Sequence, residues 1–117
     1  MMQYKRIDRE ADHIAVILTG ELVRANEADR LRDDLEPLYA DKGVKEIRID
    51  LSRLMFVSLE GVGALLDLWR AATAGGKRFL ALGSRGQVRE KLSVTGVLRP
   101  LESGGKGPSR LADQATG

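Results

Sequence analysis

From Asn26 onward the spacing of apolar residues switches from strand to helix and back, twice over. Ala28, Leu31, Leu35 and Leu38 fall on one helical stripe, with Asp29, Arg30, Arg32, Asp33 and Asp34 elsewhere. Ile47, Ile49 and Leu51 then alternate with Glu46, Arg48 and Asp50, a strand with one wetter face. A second helical stripe follows through Val62, Leu65, Leu66, Trp69 and Ala72, and Gly75-Gly76 stops it. Phe79-Leu80-Ala81-Leu82 reads as a buried strand. Two strand–helix–strand crossovers require parallel neighbours joined by right-handed connections.

Upstream, Tyr4–Ile7 and the run Ile14-Ala15-Val16-Ile17-Leu18 flank a four-residue polar break, Arg9-Glu10-Ala11-Asp12. That arrangement predicts an antiparallel pair, its second member buried on both faces. Asn26 is the expected N-cap of the first helix, with Pro37 kinking or shortening it. Residues 52–57 read as a connection to the second helix, which starts near Ser58 or Leu59. After Gly83-Ser84-Arg85-Gly86 a short helix runs through Val88 and Leu92 to Gly96, and Val97-Leu98 reads as a last edge strand. The predicted fold is α/β, a small mixed sheet with helices packed on it, in the order β-β-α-β-α-β-α. Residues 1–101 form the domain. Residues 102–117, with three glycines within four positions and no apolar period, are read as a flexible tail that contributes little to the fold.

Composition narrows the chemistry. The 117 residues include no cysteine and one histidine, His13, so disulfides, thiolate zinc sites and cysteine nucleophiles are excluded. No apolar run approaches the roughly 18 residues of a membrane span, and the N-terminus runs into charge rather than a hydrophobic leader; a cytoplasmic protein is expected. No nucleophile elbow, phosphate loop or dinucleotide fingerprint survives inspection, and Gly104-Gly105-Lys106-Gly107 lacks the hydroxyl residue after its lysine. The pairs Asp33/Asp34 and Glu46/Asp50 sit on faces expected to be solvated. No catalytic residue, cofactor or metal is expected, and a binding module is favoured over an enzyme. Residues 70–117 carry nine bases and three acids. With so few aromatic rings for stacking, these bases are read as solvated faces and not as a nucleic-acid surface.

One segment asks for more than a packing explanation. Phe56-Val57-Ser58-Leu59-Glu60-Gly61-Val62-Gly63 joins a strand exit to a helix N-terminus, where unpaired N–H groups gather. Ser58 as N-cap and Glu60 as a dipole complement explain part of it, but not two glycines in the first turn.

Here the chain resembles the STAS domain, shared by anti-sigma-factor antagonists and sulphate-transporter tails. The resemblance spans residues 4–101. It rests on Val16-Ile17-Leu18-Thr19-Gly20-Glu21-Leu22, Ile49-Asp50-Leu51-Ser52-Arg53-Leu54-Met55-Phe56, Gly61-Val62-Gly63-Ala64-Leu65-Leu66, Gly76–Leu82 and Val88–Val97, in the family's order. The family's switch loop reads Asp-Ser-Ser-Gly, with the serine before glycine phosphorylated. The corresponding four positions are Ser58-Leu59-Glu60-Gly61, so Glu60 stands at the phosphoacceptor position. Ser58 is left as a displaced acceptor candidate, its hydroxyl better suited to capping. The resemblance implies docking on an anti-sigma factor of the serine-kinase type, which frees a sigma factor. The expected contact positions, taken as outward from the helical period, are Ser58, Glu60, Gly61, Ala64 and Asp67. The alternative is a non-switching scaffold that assembles with another STAS-containing protein or a transporter complex. Self-association is left open.

Overall fold

The computed structural model describes residues 1–104, the Asp8 side chain excepted. Four strands form one sheet in the order β1-β2-β3-β4: β1 is Met2–Glu10, β2 His13–Leu22, β3 Glu46–Val57 and β4 Arg78–Leu82. β1 pairs antiparallel with β2, as the polar break predicted, and β2, β3 and β4 run parallel. Helices α1 (Asp29–Tyr39) and α2 (Leu59–Ala74) supply the two crossovers, followed by α3 (Gly86–Val94) and α4 (Leu98–Ser103). The core gathers Val16 and Leu18 of β2, Ile47, Ile49 and Leu51 of β3, Leu31 and Leu35 of α1, and Leu65 and Trp69 of α2.

The structure corrects the sequence reading at several points. β2 is not buried on both faces. Ile14, Val16 and Leu18 are buried while Ala15 and Ile17 are only half-covered, because the helices cover one side of the sheet. Asn26 caps nothing. A 3₁₀ turn, Ala25–Ala28, precedes α1, and its start is held by Glu27, whose Oε1 accepts from the Arg24 N–H at 2.9 Å and the Val23 N–H at 3.1 Å. α1 continues only two residues beyond Pro37. Glu46 is not solvated. It is buried at the base of β3, with Arg48 and Arg78 ion-paired to it.

Residues 52–57 are strand, not loop. β3 carries two extra residues relative to β2, since Ile17 pairs with Asp50 but Thr19 with Arg53, and Gly20 pairs with Leu54 but Glu21 with Phe56. Each bulge shifts the alternation by one residue, so Leu51, Leu54 and Val57 all face inward at a spacing of three. Val97-Leu98 adds no strand. The Val97 N–H bonds to Leu92 O at 3.0 Å and the chain turns into α4, with Pro100 in the first turn and Leu101 fully buried. The domain boundary at 101 therefore falls inside a helix whose Glu102 pairs with Arg89 at 3.2 Å. The tail expectation for residues 105–117 lies outside the described residues.

Candidate functional site

The carboxyl ends of β2 and β3 meet at the N-terminus of α2. β3 ends at Val57, beside Leu22 of β2. The Ser58 N–H then bonds to Leu22 O at 3.0 Å, and Ser58 takes the extended conformation of an N-cap. Its hydroxyl is used twice. The oxygen accepts from the Gly61 N–H at 3.0 Å, and the O–H donates to Val23 O. Ser58 thus caps α2 and ties it to the exit of β2. The exit is further pinned by Glu27, whose Oε2 also accepts from the Met2 N–H at 2.9 Å.

Glu27 makes this corner acid-sensitive. Hydrogen bonds from backbone N–H groups, that of Arg24 foremost, hold its carboxyl below the usual glutamate value of 4.5. A carboxyl whose folded value is lowered stabilises the fold above its unfolded value and loses that contribution as pH falls through the folded one. Thermal midpoints are therefore expected to decline more steeply below about pH 4.5 in the wild type than in Glu27→Gln. Parallel curves would show that Glu27 does not contribute.

On the opposite side, Val57 is held by a residue the sequence reading passed over. The Val57 N–H donates to Gln87 Oε1 at 2.9 Å, and Gln87 Nε2 donates to Val57 O at 2.8 Å. Gln87 lies in the first turn of α3. No sequence motif announces it, since a glutamine near a helix start reads as surface.

Of the five expected contact positions, the structure presents three. Glu60 and Asp67 are exposed and Ser58 is half-covered. Asp67 pairs with Arg70 at 3.2 Å, nearly two turns along α2 from Glu60. Gly61 and Ala64 are buried, so the outward reading fails for both. A Cβ on Gly61 would overlap the Leu22 carbonyl oxygen and stand 2.8 Å from Val57 Cγ2, so the close approach is to β2 and β3 of this chain, not to a partner. Ala64 lines a narrow cleft with Ala25, Ala28 and Asp29. α2 packs on this flank as well as on the sheet, and its buried surface is wider than a single apolar stripe indicates. Gly63 is different: nothing lies within 4 Å of where its Cβ would be.

The exposed positions in the segments that meet at Ser58 are mixed: Glu21, Arg24 and Glu60 are charged, while Val23, Met55, Phe56 and Leu59 are apolar. Leu59 is 67% exposed and Met55 73%, with Val23 and Phe56 each at 37%. Phe56 pairs with Glu21, two residues before Val23, and Val23 O receives the Ser58 hydroxyl. These four apolar side chains thus stand on the strand ends and the helix start that meet at Ser58, with Glu60 next to Leu59 in the chain. The spacing of residues 52–57 follows no period of two, so by itself it does not tell that Met55 and Phe56 are exposed. Among the described residues, no group of three or more His, Asp or Glu could hold a metal ion, and no helix is long and apolar enough to cross a membrane.

The sequence model of the family described as "Mlab, STAS domain" matches residues 6–102. The chain belongs to the STAS family. Among solved structures, the anti-sigma factor antagonist SpoIIAA in its unphosphorylated form superposes with a TM-score of 0.71 at 20% identity, over 97% of this STAS chain and 96% of that one. An anti-sigma factor antagonist from Mycobacterium paratuberculosis gives 0.68 at 19% identity, over 86% and 83%. The murine anion transporter Solute Carrier 26 family member A9 gives 0.64 at 22% identity, over 79% of this STAS chain and 15% of that one. These likenesses show the shared STAS fold. No curated protein matches the sequence.

Proposed function

We propose that this STAS domain is a cytoplasmic regulatory module that works by protein–protein contact, docking through the N-terminus of α2 on an anti-sigma factor of the serine-kinase type and thereby freeing a sigma factor. The observation that carries the reading is the exposure of four large apolar side chains, Val23, Met55, Phe56 and Leu59, on the segments that meet at Ser58 and Glu60. It lies where the family resemblance places the switch loop. The neighbours named as anti-sigma factor antagonists support the class of partner. The domain acts as a binding module, without catalysis.

The charge at the loop is permanent. Glu60 stands at the phosphoacceptor position and carries no hydroxyl, while the Ser58 hydroxyl is engaged at both its donor and its acceptor. A phosphoserine brings a charge of about −1.5 to −2 and three acceptor oxygens, whereas a carboxylate brings one charge. A partner that presents Lys or Arg opposite this helix start takes Glu60 as an attractive contact, and binding is constitutive. The Glu60→Ser substitution tests this, because it leaves the cap at Ser58 and costs the fold only a dipole term of about 0.3–1 kcal/mol. Titrated against the anti-sigma factor, Glu60→Ser is expected to bind more weakly than the wild type. Tighter binding by the serine form would mean that Glu60 mimics a phosphorylated, non-binding state.

The same permanence favours a second reading, a non-switching STAS subunit of a larger assembly. The occurrence of this fold within an anion transporter chain supports it. Co-purification with a transporter component, in place of an anti-sigma factor, would select this reading.

A further inference from the structure

Parallel strands end with their hydrogen-bonding groups open unless something pairs them. β4 ends at Leu82, opposite Asp50, so among the described residues no neighbouring strand accompanies β3 from Leu51 to Val57 on that side. At Val57 the missing neighbour is replaced by one side chain. The Gln87 amide offers a donor and an acceptor, and both are used on the N–H and C=O of the same residue, at 2.9 and 2.8 Å. The bonds are partly buried, so breaking them leaves polar groups short of partners. The residue immediately after Val57 is the cap Ser58, and the next two are Leu59 and Glu60.

We infer that Gln87 is a positioning residue of the docking loop: its amide fixes the end of β3 and so sets where Ser58, Leu59 and Glu60 leave the sheet. The inference rests on the docking reading for its consequence, but not for its geometry. Because Gln87 belongs to α3, whose Arg89 is tied to Glu102 of α4, a displacement of α3 reaches the loop directly. The loop is then held from two sides, by the Ser58–Val23 bond to the end of β2 and by Gln87 from α3.

Two variants test this without a partner. Gln87→Leu keeps bulk and removes both hydrogen bonds. Amide hydrogen exchange at Val57 is expected to accelerate at least tenfold more than at Ile49 in the middle of β3. Equal acceleration at both positions, or none at Val57, would overturn the inference, since the first is plain destabilisation and the second shows no clamp. Gln87→Glu is the conservative variant. Its ionised carboxylate sets an acceptor against the Val57 carbonyl, whereas the protonated carboxyl restores one donor and one acceptor. The introduced carboxyl is therefore expected to be at least tenfold less acidic than in an unstructured peptide. Its folded value is raised, so the clamp is intact below the unfolded value and lost as pH rises through the folded one. Titration as in an unstructured peptide would contradict the geometry. Should the wild type fail to bind any anti-sigma factor, the docking reading falls while these two measurements still decide the role of Gln87 in the loop.

Discussion

Gly61→Ala is expected to destabilise the domain by about 1–3 kcal/mol, the usual cost of forcing atoms into a packed site. The added Cβ meets the Leu22 carbonyl oxygen, Val57 Cγ2 at 2.8 Å and Leu22 Cγ at 3.0 Å. Two of these atoms belong to β2 and one to β3, and the carbonyl also receives the Ser58 N–H, so retreat breaks a bond the cap depends on. Side chains cannot relieve the overlap, because a backbone oxygen is the nearest atom. At roughly 4 °C per kcal/mol for a domain of this size, calorimetry should show a lowered midpoint of several degrees. Gly63→Ala is the control from the same turn. Its Cβ enters open space, and the loss of unfolded-state freedom should raise stability by about 0.4–1 kcal/mol. An unchanged midpoint for Gly61→Ala would show that α2 moves away from the sheet freely.

The contrast between these two glycines shows where sequence reasoning stopped. Both stand near the start of α2, and the sequence alone does not tell them apart in their surroundings. Only the distance to Leu22 separates them, and that distance depends on how two strand ends 35 residues apart, Leu22 and Val57, converge. The same limit applies to β3. Ile47, Ile49 and Leu51 announced a strand because their period is two, whereas Leu51, Leu54 and Val57 have a period of three that only paired bulges explain. Elements whose signal is local were legible: the polar break before β2, the stripe of α2 with Ser58 as its cap, and the buried run of β4. Elements held by distant partners were not. Glu27, besides capping its own turn, reaches Met2 across the sequence with its other oxygen. A short apolar pair such as Val97-Leu98 reads as strand by itself, although a local bond from the Val97 N–H to Leu92 O turns it into α4. Gln87 acts on a strand thirty residues away. In the candidate site, the motif singles out Ser58 and Glu60 as proposed contact positions, whereas the exposure of Met55, Phe56 and Leu59 is set by how β3 and α2 face.

The second large effect is on binding. Leu59→Asp should leave the fold within about 0.5 kcal/mol of the wild type, because the side chain is 67% exposed and an acid in the first helical turn suits the dipole. In a complex docked on the α2 N-terminus the same carboxylate would be buried in the interface without a partner placed for it. Burying an unpaired charge at the centre of an interface costs 2 kcal/mol or more by the usual measure of an interface hot spot, roughly thirtyfold in affinity. Stability and binding are thus expected to separate cleanly in this variant.

The α2 N-terminus is the face by which we propose that this STAS domain meets its partner. Calorimetric titration of the wild type and Leu59→Asp against a purified anti-sigma factor of the serine-kinase type, with melting curves of both, tests it most directly. Binding by the wild type and a loss of at least about tenfold in Leu59→Asp, at an unchanged melting midpoint, is the predicted result. Equal affinities for the two proteins would place the docking face elsewhere on the molecule.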